Sequence, residues 1–90
     1  MYTIKYSHKF VKAVRKCVKR GLDIKKLQRA VAILEKDGTL PQQYKPHKLV
    51  GKYSGKWECH ISPDWLLIWD QNDTELILLF LDTGSHSDIF

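Results

Sequence analysis

The run Leu76-Ile77-Leu78-Leu79-Phe80-Leu81 is the strongest constraint on how this chain folds. Read as a strand over Glu75–Leu81, it places Leu76, Leu78 and Phe80 on one face and Ile77, Leu79 and Leu81 on the other. A strand apolar on both faces belongs inside a sheet, with cover on each side. Just upstream, Trp57, Cys59 and Ile61 alternate with Lys56, Glu58 and His60, the period of a half-buried strand. Ser62-Pro63-Asp64 has turn chemistry, Trp65–Asp70 is the next strand, and Gln71-Asn72-Asp73 the next turn. Three strands joined this way form a meander, which leaves the apolar run at its edge. Tyr2–Tyr6 alternates as well; set beside the apolar run, it makes that run central. Counted along the chain, the predicted order is 2-3-4-1.

Two helices fill the gap after the first strand. Ser7 is a good N-cap, and Phe10, Val14, Cys17 and Val18, with Val11 beside them, recur at helical spacing. Gly21 suits a left-handed residue closing that helix. Asp23 caps a second, whose Ile24, Leu27, Ala30, Val31 and Leu34 repeat up to Gly38. From Thr39 to Tyr53 no period is visible, and Pro41, Pro46 and Gly51 mark loop, with room for a short strand near Leu49. The expected architecture is a single α+β domain over residues 1–90, of pattern βααβββ. A helical hairpin packs on one face of a four-stranded, largely antiparallel sheet.

Charge narrows the partners. The net +5 divides sharply: residues 1–56 hold all fifteen Lys and Arg against three acids, whereas residues 57–90 hold seven acids and neither Lys nor Arg. Such a division suits a basic surface facing a polyanion. The first helix carries Lys9, Lys12, Arg15, Lys16, Lys19 and Arg20 on its polar face, which is either solvated or grips that polyanion. The apolar runs Trp65–Trp69 and Leu76–Leu81 fall far short of the ~18–20 residues that span a bilayer. The N-terminus has no apolar signal region. Cys17 and Cys59 read as reduced core thiols of a cytoplasmic protein, since two cysteines without a CxxC make neither a disulfide framework nor a zinc pattern.

The histidines carry the chemistry. His8 falls on the polar side of a helix and reads as surface. His60 lies on the polar face of its strand, two residues before Pro63-Asp64; His86 lies beyond the last strand, and His47 in a polar loop among lysines. In a meander, the ends of the second and fourth strands point the same way, so His60, Asp64 and His86 share one rim, which His47 can join. Imidazoles titrate close to neutral pH, so a pair can take the proton of a ribose 2′-hydroxyl and give one to a leaving 5′-oxygen without metal. Lys45, Lys48, Lys52 and Lys56 are candidates to hold the phosphate. Trp65 and Phe90 are candidates to stack on a base, with core packing the competing role for Trp65. Zinc is a rival use of the same residues, but their spacing matches no four-ligand site and carboxylates are too few for two metals.

Three blocks now stand out: Tyr44-Lys45-Pro46-His47-Lys48-Leu49, Glu58-Cys59-His60-Ile61-Ser62-Pro63-Asp64-Trp65 and Thr83-Gly84-Ser85-His86-Ser87-Asp88-Ile89-Phe90. Together they resemble the YafQ branch of the RelE/ParE toxin superfamily, over nearly the whole chain. The resemblance implies a RelE-like microbial RNase fold and a bacterial type II toxin. It implies a metal-independent endoribonuclease that needs no cofactor, cuts mRNA in the ribosomal A site and is silenced by a cognate antitoxin. The toxin is expected to be a monomer alone and a hetero-oligomer with its antitoxin, with no membrane partner. The family's functional positions fall on His47, His60, Asp64 and His86, supported by Trp65 and Phe90. His86 is the expected proton donor or acceptor, His60 and His47 take complementary roles, and Asp64 orients a neighbouring imidazole. Many relatives carry arginine just before Thr-Gly, where this chain has Asp82; a lysine from residues 45–56 is then expected to serve the phosphate. Two other functions fit the same fold: a non-catalytic RNA- or ribosome-binding domain, and a gyrase-directed toxin of the ParE kind.

Overall fold

A computed structural model describes all ninety residues, Met1–Phe90. Its sheet has the order β1-β5-β4-β3-β2, with β1 Thr3–Tyr6, β2 His47–Lys48, β3 Trp57–Ser62, β4 Trp65–Asn72 and β5 Ile77–Gly84. The doubly apolar strand is central as expected: β5 pairs antiparallel with β4 and parallel with β1, in the register Thr3↔Ile77 to Tyr6↔Phe80. The strand near residue 49 proves to be the two-residue β2, antiparallel to β3. It makes the sheet five-stranded.

One boundary moves. Leu76, expected inside the last strand, instead adopts a left-handed conformation at φ 56° and is exposed. The Asn72 side chain accepts from the N–H groups of Thr74 and Glu75, which tightens a turn over residues 73–76. With Asn72 paired to Ile77, Leu76 is spent on reversing the chain.

The hairpin is built by its caps. Ser7 accepts from the Phe10 N–H at 3.0 Å and donates to the Leu81 carbonyl at 3.1 Å. That hydroxyl both starts α1, His8–Lys19, and ties it to β5. Asp23 caps α2, Ile24–Asp37, by accepting from the Lys25 N–H. Gly38 closes α2 at φ 70°, and a Cβ there would meet the Tyr2 ring at 2.5 Å; only glycine fits both constraints. Phe10, Cys17, Leu27, Ala30 and Leu34 pack onto Cys59, Leu67, Trp69, Leu78 and Phe80 of the sheet. Val18, expected on that buried stripe, is exposed at the end of α1, and Val11 borders an open apolar groove between the helices. Both cysteines are buried and unpaired, and burial pushes the Cys59 thiol up to about 12.

Cover on the second face comes from segments without periodicity. Leu66 and Ile68 of β4 meet Ile89 of a C-terminal helical turn, α3 (His86–Ile89), with Leu49, Tyr53 and Leu81 packed around them. The pairing steps from Ile68↔Asp82 to Trp69↔Phe80, so Leu81 is a bulge residue. No helix is long and apolar enough to cross a membrane.

Candidate active site

Paired residues on neighbouring strands share a face. Cys59↔Leu67 points toward the helices, so its neighbours Glu58↔Ile68 and His60↔Leu66 point to the opposite face, and His47, paired with Glu58, joins them. Leu66 also pairs with Gly84. His60, Leu66 and Gly84 therefore form one row across three strands, about 10 Å from end to end, and His86 follows two residues beyond Gly84. The rim inferred from the meander exists, on the sheet face away from the hairpin.

His47 is held at both ring nitrogens. Lys45 ends the 3₁₀ turn Gln42–Tyr44 in a left-handed conformation, and its carbonyl lies 2.9 Å from His47 Nδ1. Glu58 Oε1 lies 3.1 Å from Nε2. Both neighbours are acceptors when Glu58 is ionised, so a ring protonated on both nitrogens satisfies both contacts. The Glu58 side chain is only 8% exposed, and its Oε2 has no hydrogen-bond partner. The His60 ring stands 6.5 Å from that of His47, with its Nδ1 3.3 Å from the Pro63 carbonyl.

His86 is positioned by its backbone. Ser85 and Asp88 close a capping box around α3, and Asp64 Oδ1 accepts from the His86 N–H at 3.1 Å. Asp64 thus orients the helical turn that carries His86, where an imidazole contact was expected. Arg20, at the end of α1, grips both Asp88 oxygens, at 2.5 and 2.9 Å. That guanidinium, followed by the Ser85 N–H and hydroxyl, holds the Asp88 carboxyl well below the usual carboxylate range. The Phe90 ring lies 5.0 Å from that of His86 and is 48% exposed. Lys52 donates to the Ile89 carbonyl and sits 5.9 Å above the Phe90 ring.

The other predicted residues divide. Lys45 is exposed beside His47. Lys48 lies over Trp57, and Lys56, at the far end of β3, pairs with Asp70 at 3.2 Å, which leaves Lys52 as the lysine that reaches α3. Trp65 is 2% exposed, and its indole N–H donates to Thr83 Oγ1. It is a core residue with no face to offer a base, which corrects the stacking expectation. Sequence reasoning missed Glu58, although it shares His60's polar face, and it missed the Arg20–Asp88 clamp, although Ser85-x-x-Asp88 carries a capping-box signal.

The family model described as "Bacterial toxin of type II toxin-antitoxin system, YafQ" matches residues 2–90. The chain belongs to the YafQ family. It is 36% identical over 88 residues to the mRNA interferase toxin YafQ of Escherichia coli K12, covering 97% of this chain and 94% of that one. The crystal structure of the E. coli DinJ–YafQ complex superposes with a TM-score of 0.90 at 35% identity, over 100% of this chain and 99% of that one. A metal-bound toxin from Helicobacter pylori gives 0.90 at 39% identity, over all of both chains. In this chain no three His, Cys, Asp or Glu side chains converge as metal ligands would.

Asp82 is buried and compensated. Lys9 Nζ lies 3.3 Å from its Oδ2, and the Tyr53 hydroxyl donates to the same oxygen. Lys9 also donates to Tyr53, and the Tyr53 hydroxyl contributes most to raising the ammonium above its ordinary value. That carboxylate is tied to α1 and to the 49–56 loop.

Proposed function

We propose that this chain is an mRNA interferase, the toxin of a type II pair, which cuts message in the ribosomal A site by metal-independent imidazole chemistry. It acts in the cytoplasm and is silenced by a cognate antitoxin. The observation that carries this reading is the row His60–Leu66–Gly84, with Asp64 on the His86 amide. The E. coli relative's name, mRNA interferase toxin, and its complex with DinJ support the assignment.

The chemistry is in-line transfer within the RNA. One imidazole takes the 2′-hydroxyl proton, the 2′-oxygen attacks phosphorus, and the bond to the 5′-oxygen breaks as that oxygen receives a proton. His86 and His60 are the proton-transfer pair. His47, with both nitrogens engaged, holds Glu58 and borders the site, and Lys52 supplies the cation near the phosphate. Phe90 stacks on an unpaired base, an interaction worth ~1–3 kcal/mol.

Primer extension on a translated message tests this directly. The unsubstituted chain should generate new 5′ ends on ribosome-bound message, and His86→Ala should slow cutting by ~10²–10⁴-fold with an unchanged circular dichroism spectrum. Full-rate cutting by the soluble variant would remove His86 from the mechanism; no new 5′ ends from the unsubstituted chain would leave a binding domain. Protein stripped of transition metals with chelator and returned to magnesium buffer should keep its rate. Loss of cutting that copper or zinc restores would end the metal-independent reading.

A further inference from the structure

We propose that the cleft beside His60, between α2 and the 3₁₀ turn, is a second RNA-phosphate subsite, holding a phosphodiester neighbouring the one that is cut. This rests on the endoribonuclease reading above.

Because β2 has only two residues, it covers β3 only at Trp57 and Glu58. Beyond that point the outer edge of β3 has no strand partner. A cleft of about 280 Å³ opens there, walled by Lys26 and Arg29 of α2, Gln43 and Tyr44 of the turn, and His60 and Ile61 of β3. Lys26 and Arg29 are three residues apart on a helix and so lie side by side. No acid lines the cleft, and neither cation takes part in an ion pair.

Two positive charges with an adjacent amide donor and no counter-charge suit a phosphate, which offers strong acceptors to both. The other charged cleft differs. It lies along α1 and holds Lys9, Lys12, Lys16 and Arg20, but also Asp82 and Asp88, which already bind Lys9 and Arg20.

His60 links subsite and reaction. It belongs to the catalytic row and also walls the cleft. With Nδ1 directed at the Pro63 carbonyl, Nε2 is its uncommitted nitrogen. An RNA strand cut at the rim, on the face away from the hairpin, reaches Lys26 and Arg29 by passing round the free edge of β3, and the two cations fix its register against His60.

The test is ribosome-dependent cutting by the full chain and by Lys26→Ala/Arg29→Ala, with melting temperature checked for both. The variant should raise KM about tenfold with kcat retained. The slope of log KM against log salt should fall by about 0.7, the value for one phosphate on a single strand. Lys26→Arg/Arg29→Lys, which keeps both charges, should restore KM.

Binding to ribosomes with and without message separates two sources of phosphate: affinity lost only with message assigns the cleft to mRNA, and equal loss assigns it to ribosomal RNA. Unchanged KM and salt slope in a variant that folds would overturn the subsite, as would an effect confined to antitoxin binding, which would assign the cleft to an acidic protein. If the unsubstituted chain makes no cut, the endonuclease reading falls and takes this one with it.

Discussion

Glu58 and His47 depend on each other for stability as well as chemistry. Glu58 is buried on a sheet face, and the half-exposed His47 ring is the one group that meets its carboxylate. Truncating the ring leaves a buried charge without its partner, which costs about 1–3 kcal/mol. In urea titrations, His47→Ala should therefore lose about that much stability, and His47→Ala/Glu58→Ala should lose less than the sum of the two single variants. Additive losses would show that the pair is not coupled. His60→Ala, which leaves no buried charge behind, should unfold close to the parent midpoint. Activity assays of His47 variants belong well below their melting temperatures, so that lost chemistry is not confused with lost fold. The pair was half legible in the sequence: alternation places Glu58 and His60 on one face, whereas His47 sits in a stretch with no period, and only strand pairing brings it across.

The shortest α-helix carries the most. α3 is four residues long, too short to persist alone, and it is held by Arg20 on Asp88, by the capping box and by Asp64 on its first amide. The Asp88 carboxyl lies below its unfolded value of about 3.9. The sign follows: the clamp adds stability above about pH 4 and loses it as pH falls toward the depressed folded value. Protection factors at Ile89 and Phe90 should fall on acidification below pH 4, while those of the hairpin hold. Asp88→Asn should show the same fall already at neutral pH, with kcat reduced because His86 is no longer fixed. Protection unaltered by Asp88→Asn would mean that packing of Ile89 alone holds the turn. The long elements were readable because each repeats its period several times; α3, the 49–56 loop and the turn at Leu76 were not, since each is fixed by contacts remote in sequence.

Across the whole molecule, the uneven charge of the sequence becomes a set of staples. The four ion pairs are Lys9–Asp82, Arg20–Asp88, His47–Glu58 and Lys56–Asp70, and each joins a residue before position 57 to one after it. Three of the fifteen Lys and Arg are used this way, which leaves twelve for partners. Ribosome affinity should consequently fall steeply between 50 and 200 mM salt, while the unfolding midpoint moves little, because the two exposed pairs add only ~0.2–1 kcal/mol each and the two with buried carboxylates are screened much less. Salt-insensitive binding would mean that apolar contacts dominate the interface. The parallel pairing of β1 with β5 bears on timing. Thr3 waits for Ile77, so β1 finds its partner only after both helices, β3 and β4 have been made, and the turn bearing His86 is made later still. A nascent chain that has not yet reached β5 and α3 has no Gly84 or His86 to set beside His60, so the rim takes shape only once they are made.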